Sequence, residues 1–175
     1  MDEWVRSGSF QTDIPDDGRG YYRLYTRHDV HRLLHTLRLL LTEHGSLGQF
    51  VRANATDGYG AVNAICAYFA AHEASTVIPR DTKSACKRVC MFMRWMVRDG
   101  SPVDLGLWTR FIDKRTLIMP LDTHVVQQSQ RLGLLRSRTA SMSAARSLTQ
   151  AMLEVFPDDP LKGDFALFGY GVNKE

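Results

Sequence analysis

No run of apolar residues in this chain approaches the uninterrupted length that a membrane-spanning helix requires. The first residues, Met1-Asp2-Glu3-Trp4-Val5-Arg6, carry acids early and lack the apolar core of a signal peptide, so a cytoplasmic location is the expectation. Cysteine is sparse: Cys66, Cys86 and Cys90 are three in number and cannot all pair internally. Cys86 and Cys90 stand one helical turn apart, a spacing that suits a metal pair or a packed face. No second cysteine pair completes a tetrahedral site, so reduced core thiols and no bound metal are expected. Glycine is missing from Ile78-Pro79-Arg80-Asp81-Thr82-Lys83-Ser84, which argues against a tight hairpin with positive backbone torsions there. Excess charge is small. A net +3 is too mild to prove a nucleic-acid partner.

What is present is enough chain for one domain with a core, 175 residues of which 44% are hydrophobic and 23% charged. Residues 1–20 hold Gly, Ser, Asp and Pro without an apolar period and read as a loose leader. Residues 21–175 read as a single all-α domain, since apolar positions recur at helical spacing and no alternating run marks a sheet. Thr26 is placed to cap a helix striped by Val30, Leu33, Leu34, Leu37 and Leu41, with Gly45 as its stop. Ser46 caps a short helix through Val51, and Tyr59 to Ala74 forms a third. Further helices are expected over Thr82–Arg98, Leu105–Ile112, Asp122–Leu132, from Ser141 or Ser143 to Phe156, and over Leu161–Tyr170.

The basic residues are unevenly spread. Between Arg80 and Arg115 there are nine Lys or Arg against four Asp, a local net of +5. Such an excess serves phosphate binding or merely solvates helix faces, and composition does not choose between them. His28, His31 and His35 share one helix face, but no carboxylate joins them at ligand spacing.

Four segments carry a resemblance: Ser84-Ala85-Cys86-Lys87-Arg88, Met91-Phe92-Met93-Arg94-Trp95-Met96-Val97-Arg98, Pro120-Leu121-Asp122-Thr123-His124-Val125 and Asp164-Phe165-Ala166-Leu167-Phe168-Gly169. In these the chain resembles a conserved prokaryotic family of unknown function. That family is itself similar to the helix-hairpin-helix DNA glycosylase superfamily, most of all to the archaeal 8-oxoguanine glycosylases. The resemblance runs from about Tyr21 to Val172 and implies a compact all-α array of that type, with an additional N-terminal helical segment missing here.

It also implies DNA as partner and repair as the activity, without metal or organic cofactor. Carried over by motif, Lys87 is the nucleophile and Asp122 the carboxylate. Lys83 competes for the first role, and Arg88 is a weaker neighbour because a guanidinium stays protonated and is a poor nucleophile. Lys83, Arg88 and Arg94 would hold phosphates, and Trp108 would stack on an extruded base. A carboxylate stabilises oxocarbenium character at the anomeric carbon, and a neutral amine attacks that carbon to form a Schiff base.

Each assignment has a plainer counterpart. Asp122 serves equally as a helix N-cap, Lys87 as a solvated face residue, and Trp95 with Phe92 as core; Asp164 either caps the last helix or lines the same cleft. Lys87 and Asp122 stand 35 residues apart, longer than in most glycosylases. A nucleic-acid-binding module without catalysis and a helical protein-interaction domain are the competing functions.

Overall fold

The computed structural model describes residues 2–74 and 76–172, and for Phe168 and residues 170–172 the backbone alone. Nine α-helices account for most of the described residues, so the chain is mostly helical, as its periodicity predicts. None of these helices is long and apolar enough to cross a membrane. The chain divides into two compact units, Met1–Asn54 with Ala64–Asp81, and Ala55–Asn63 with Thr82–Glu175. The division expected near residue 20 falls inside the first of these.

In the first unit, α1 (Asp2–Ser7) and α2 (Phe10–Asp13) precede a two-stranded antiparallel hairpin, β1 (Gly20–Tyr22) and β2 (Tyr25–Thr26). α3 (Arg27–His44), α4 (Leu47–Asn54) and the larger part of α5 (Gly58–Ala71) complete it. The start of α3 is a capping box. Thr26 accepts from the Asp29 N–H, and the Asp29 carboxylate accepts from the Thr26 N–H at 2.8 Å. Gly45 ends the helix with a positive φ of 75°.

The leader is not loose. Val5 and Phe10 are buried, and the Phe10 ring meets Trp4 and His31 edge-on at 5.9 and 5.7 Å. Arg6 donates to the Leu41 and Gly45 carbonyls, satisfying the open end of α3. Val5, Phe10 and Ile14 are buried at irregular spacing, and with Arg6 they order the segment, which is why periodicity missed it. The hairpin was also missed, because its strands are only three and two residues long. Of the three histidines expected on one face of α3, His31 is buried with Nε2 donating to the Ile14 carbonyl, and His28 bonds Asp16 at 2.8 Å.

The second unit contains α6 (Lys87–Val97), a 3-10 turn η1 (Lys114–Thr116), α7 (Thr123–Arg131), α8 (Met142–Val155) and α9 (Lys162–Val172). Helix α6 starts five residues later than the apolar pattern predicts. Ser84 bridges Ser141, and the Met142 N–H donates to the Lys83 carbonyl, so the backbone before α6 is engaged outside any helix. Cys86 then turns the chain with φ 47° and ψ 37°, a left-handed conformation taken without glycine. The positive torsion doubted for residues 78–84 thus exists two residues further on.

The helix expected over Leu105–Ile112 does not form. Leu105 N–H donates to the Trp95 carbonyl and Trp108 N–H to the Met96 carbonyl, each at 2.7 Å. The segment uses its donors to satisfy the end of α6, and these are then lost to a helix of its own. Near the other end of the unit, Gly58 donates to Thr116 Oγ1 at 2.8 Å. A Cβ there would lie 2.5 Å from the Thr116 carbonyl oxygen, so only glycine permits the approach.

Candidate active site

Lys87 is the first residue of α6 and Asp122 is the N-cap of α7. Both lie in the second unit, and the structure brings them together: Lys87 Nζ donates to Asp122 Oδ2 at 2.5 Å. The two carboxylate oxygens divide their work. Oδ1 accepts from the Val125 N–H at 2.8 Å, closing the first turn of α7, while Oδ2 faces the lysine. The capping and the site readings of Asp122 are therefore compatible, one oxygen serving each.

The pair is open to solvent, with side-chain exposures of 46% for Lys87 and 32% for Asp122. Partial burial on its own would raise the Asp122 carboxyl. The Lys87 hydrogen bond, the Val125 N–H and the charges of Lys87 and His124 outweigh it and hold the group below the ordinary carboxylate range. Asp122 is ionised at neutral pH.

Behind this pair lies a second carboxylate. Asp164, in the first turn of α9, is buried, and its Oδ2 accepts from Arg94 Nη1 at 2.5 Å. Burial pushes its carboxyl up, against the opposing pull of Arg94 and Lys87; Asp122 adds to the rise. Asp164 thus feels the charges of both Lys87 and Asp122. It stands two residues inside α9 and faces Arg94, so the capping role expected for it is replaced by an ion pair.

Arg94 corrects an expectation too. It was assigned to phosphates, yet it is 2% exposed, paired to Asp164 and Asp104, with Phe165 stacked on its guanidinium at 4.0 Å. A phosphodiester has no path to it. Arg98, one turn on, forks onto Asp159 with bonds of 2.9 and 3.0 Å and bonds Asp104 at 2.5 Å. Two arginines and three aspartates thus form one buried network. Sequence reasoning missed it because its long bonds span 61 and 70 residues. The local signal was Arg94 on a mostly apolar stripe of α6, with Arg98, the C-cap of that helix, four residues on.

Trp108 is likewise withdrawn from the surface. It is buried against Phe92 and Phe111, with ring centroids 5.6 and 5.8 Å away, because its segment folds back over the end of α6. Trp95, assigned to the core, is instead 41% exposed. Lys83 and Arg88 are exposed, as a phosphate-binding role requires. Cys66, Cys86 and Cys90 are all buried and form no disulfide among the described residues. Burial, with Cys86 adding to it, pushes the Cys90 thiol up to about 12, so that sulfur stays protonated and inert.

A family described as protein of unknown function (DUF2400) matches residues 2–173, and the chain belongs to it. No curated protein and no solved structure matches the chain.

Proposed function

We propose that this member of the family is a DNA glycosylase of the helix-hairpin-helix type, with associated lyase activity, in which Lys87 attacks and Asp122 stabilises. The observation that carries the reading is the 2.5 Å contact between an amine and a carboxylate that each open a helix and remain accessible to solvent. Two side chains so placed reach one sugar carbon from a common side.

In the proposed reaction the Lys87 amine, having lost its ammonium proton, attacks C1′ of the extruded nucleotide. The C1′–N bond to the base breaks, and the departing base carries off the electron pair and takes a proton from solvent. The Asp122 carboxylate faces the positive charge that develops at C1′. Loss of the second amine proton accompanies opening of the C1′–O4′ bond, with O4′ gaining a proton, and a Schiff base results. Removal of a C2′ proton then expels the 3′ phosphate, and water releases the amine. The amine and the carboxylate act at C1′, while solvent takes up the protons lost from nitrogen and C2′ and supplies those gained by the base and O4′.

One observation favours a second reading, a nucleic-acid-binding module without catalysis: residues 78–84 contain no glycine for a phosphate-binding hairpin. A screen of duplexes each carrying one damaged base separates the two. The glycosylase reading expects at least one lesion to yield an alkali-labile strand break with the wild-type chain, and none with Lys87→Ala or Asp122→Ala. Intact strands across the whole panel, with DNA binding retained, support the binding module.

A further inference from the structure

The second unit is the basic one: it has 14 Lys and Arg against 10 Asp and Glu, a net of +4, whereas the first has 8 against 9. On its surface a groove of about 570 Å³ runs along α8, within the size range of about 300–1,000 Å³ typical of ligand clefts. Its polar lining comes from Tyr59, Thr82, Ser143, Arg146, Ser147 and Gln150. Four are hydroxyl-bearing, one is an amide and one a cation. No carboxylate lines it.

Arg146 is exposed, and its guanidinium lies over the Tyr59 ring with Cζ 4.9 Å from the centroid. Tyr59 is itself held by a 3.3 Å bond between its hydroxyl and Thr82 Oγ1. A guanidinium held over a ring face keeps N–H donors available for a second partner. No ion pair engages Arg146 among the described residues, whereas Arg94, Arg98 and Arg115 each bind an aspartate. A planar cation with neighbouring hydroxyl donors and no ion pair of its own matches a phosphodiester oxygen pair; the nearby carboxylate, Asp57, lines the adjoining cavity and accepts from the Gly60 N–H. The groove also borders the reactive pair along the chain. Its wall residue Met142 bonds the Lys83 carbonyl, four residues before Lys87.

We infer that the Tyr59–Arg146 groove binds the phosphodiester backbone of a nucleic-acid strand, on one side of the nucleotide presented to Lys87. This rests on the glycosylase reading for the identity of the strand but not for the groove's affinity. It gives the second unit a grip on DNA that requires no glycine hairpin.

The test is fluorescence anisotropy on abasic-site duplex DNA across a salt series, beside borohydride trapping at saturating DNA. Arg146→Ala is expected to weaken binding about 5–10-fold near 0.15 M salt and to lower the salt slope by about one phosphate contact. Arg146→Lys is expected to restore the slope but only part of the affinity. Arg52→Ala, which removes the same charge from an exposed site in the first unit, serves as the control. Equal affinity and slope for wild type and Arg146→Ala, or equal losses for Arg146→Ala and Arg52→Ala, overturn the inference. So does inorganic phosphate binding that depends on Arg146 while DNA binding does not. Arg146-dependent binding with no adduct formed keeps the groove and removes the catalytic reading instead. Normal adducts with an indifferent Arg146 do the reverse.

Discussion

Lys87 and Arg94 stand two turns apart on one face of α6, and each meets a carboxylate at 2.5 Å. Their surroundings differ completely. The lysine pair is nearly half exposed, while the arginine pair is sealed and joined to Arg98, Asp104 and Asp159. An exposed pair contributes little to stability and separates easily, so a substrate can enter between its partners. A buried network cannot open without stranding charge in a medium that solvates it poorly. One end of the helix is thus available for chemistry, and the other holds α6, α9 and the segment around Asp104 in position beneath it.

The largest effect that tests this contrast is on folding. Arg98→Ala leaves Asp159 buried without its cation and takes one of two cations from Asp104, and is expected to cost roughly 3–5 kcal/mol. At ~2–4 °C per kcal/mol for a chain of this size, thermal melting should show a drop of ten degrees or so. A loss under about 1 kcal/mol means the network is not structural.

Next comes the carboxylate at the exposed end. Asp122→Asn keeps an oxygen for the Val125 N–H, so the cap survives, but the charge that the proposed mechanism sets against C1′ is gone. Single-turnover excision is expected to fall about 10²–10³-fold, the usual consequence of removing one electrostatic stabiliser. A rate within threefold of wild type contradicts its role.

Protons sharpen the comparison further. The Asp164 carboxyl is raised, so its protonated form favours the fold. That contribution is full below the ordinary carboxylate range and is lost as pH rises through the raised value. The Asp122 carboxyl is lowered, so its contribution holds above that range and disappears only on acidification through the lowered value. Asp164→Asn, which mimics the protonated form, should therefore match or exceed the wild-type Tm at neutral pH and lose any advantage near pH 4. A clear loss of Tm at neutral pH shows that the negative charge on Asp164 is needed.

The smallest effect is expected from Lys87→Ala on stability, within about 1 kcal/mol, as for other exposed pairs. A large drop in Tm on denaturation would make Lys87 a structural residue and erase the contrast along α6.

Much of the helical layout was legible in the chain because caps and stops are local. Thr26 with Asp29, Gly45, Ser141 and Asp122 all act within four residues of the helix end they define. Lys87 and Asp122 were legible by resemblance, and their meeting at 35 residues' separation was not derivable from periodicity. The fates of Arg94, Trp108 and Asp164 were hidden for one physical reason. Each is decided by partners distant in sequence or by a loop whose N–H groups serve another element, and apolar spacing records neither. Arg94 on a mostly apolar stripe was the one clue available, since a cation at a core position requires buried acids.

The central claim is that the Lys87 amine becomes covalently attached to deoxyribose. Borohydride reduction in the presence of abasic-site duplex DNA, followed by mass mapping of the cross-linked peptide, tests it most directly. The account predicts a stable adduct on the peptide containing Lys87, absent from Lys87→Ala. An adduct located at Lys83, or none at all from a chain that binds the same DNA, would contradict it.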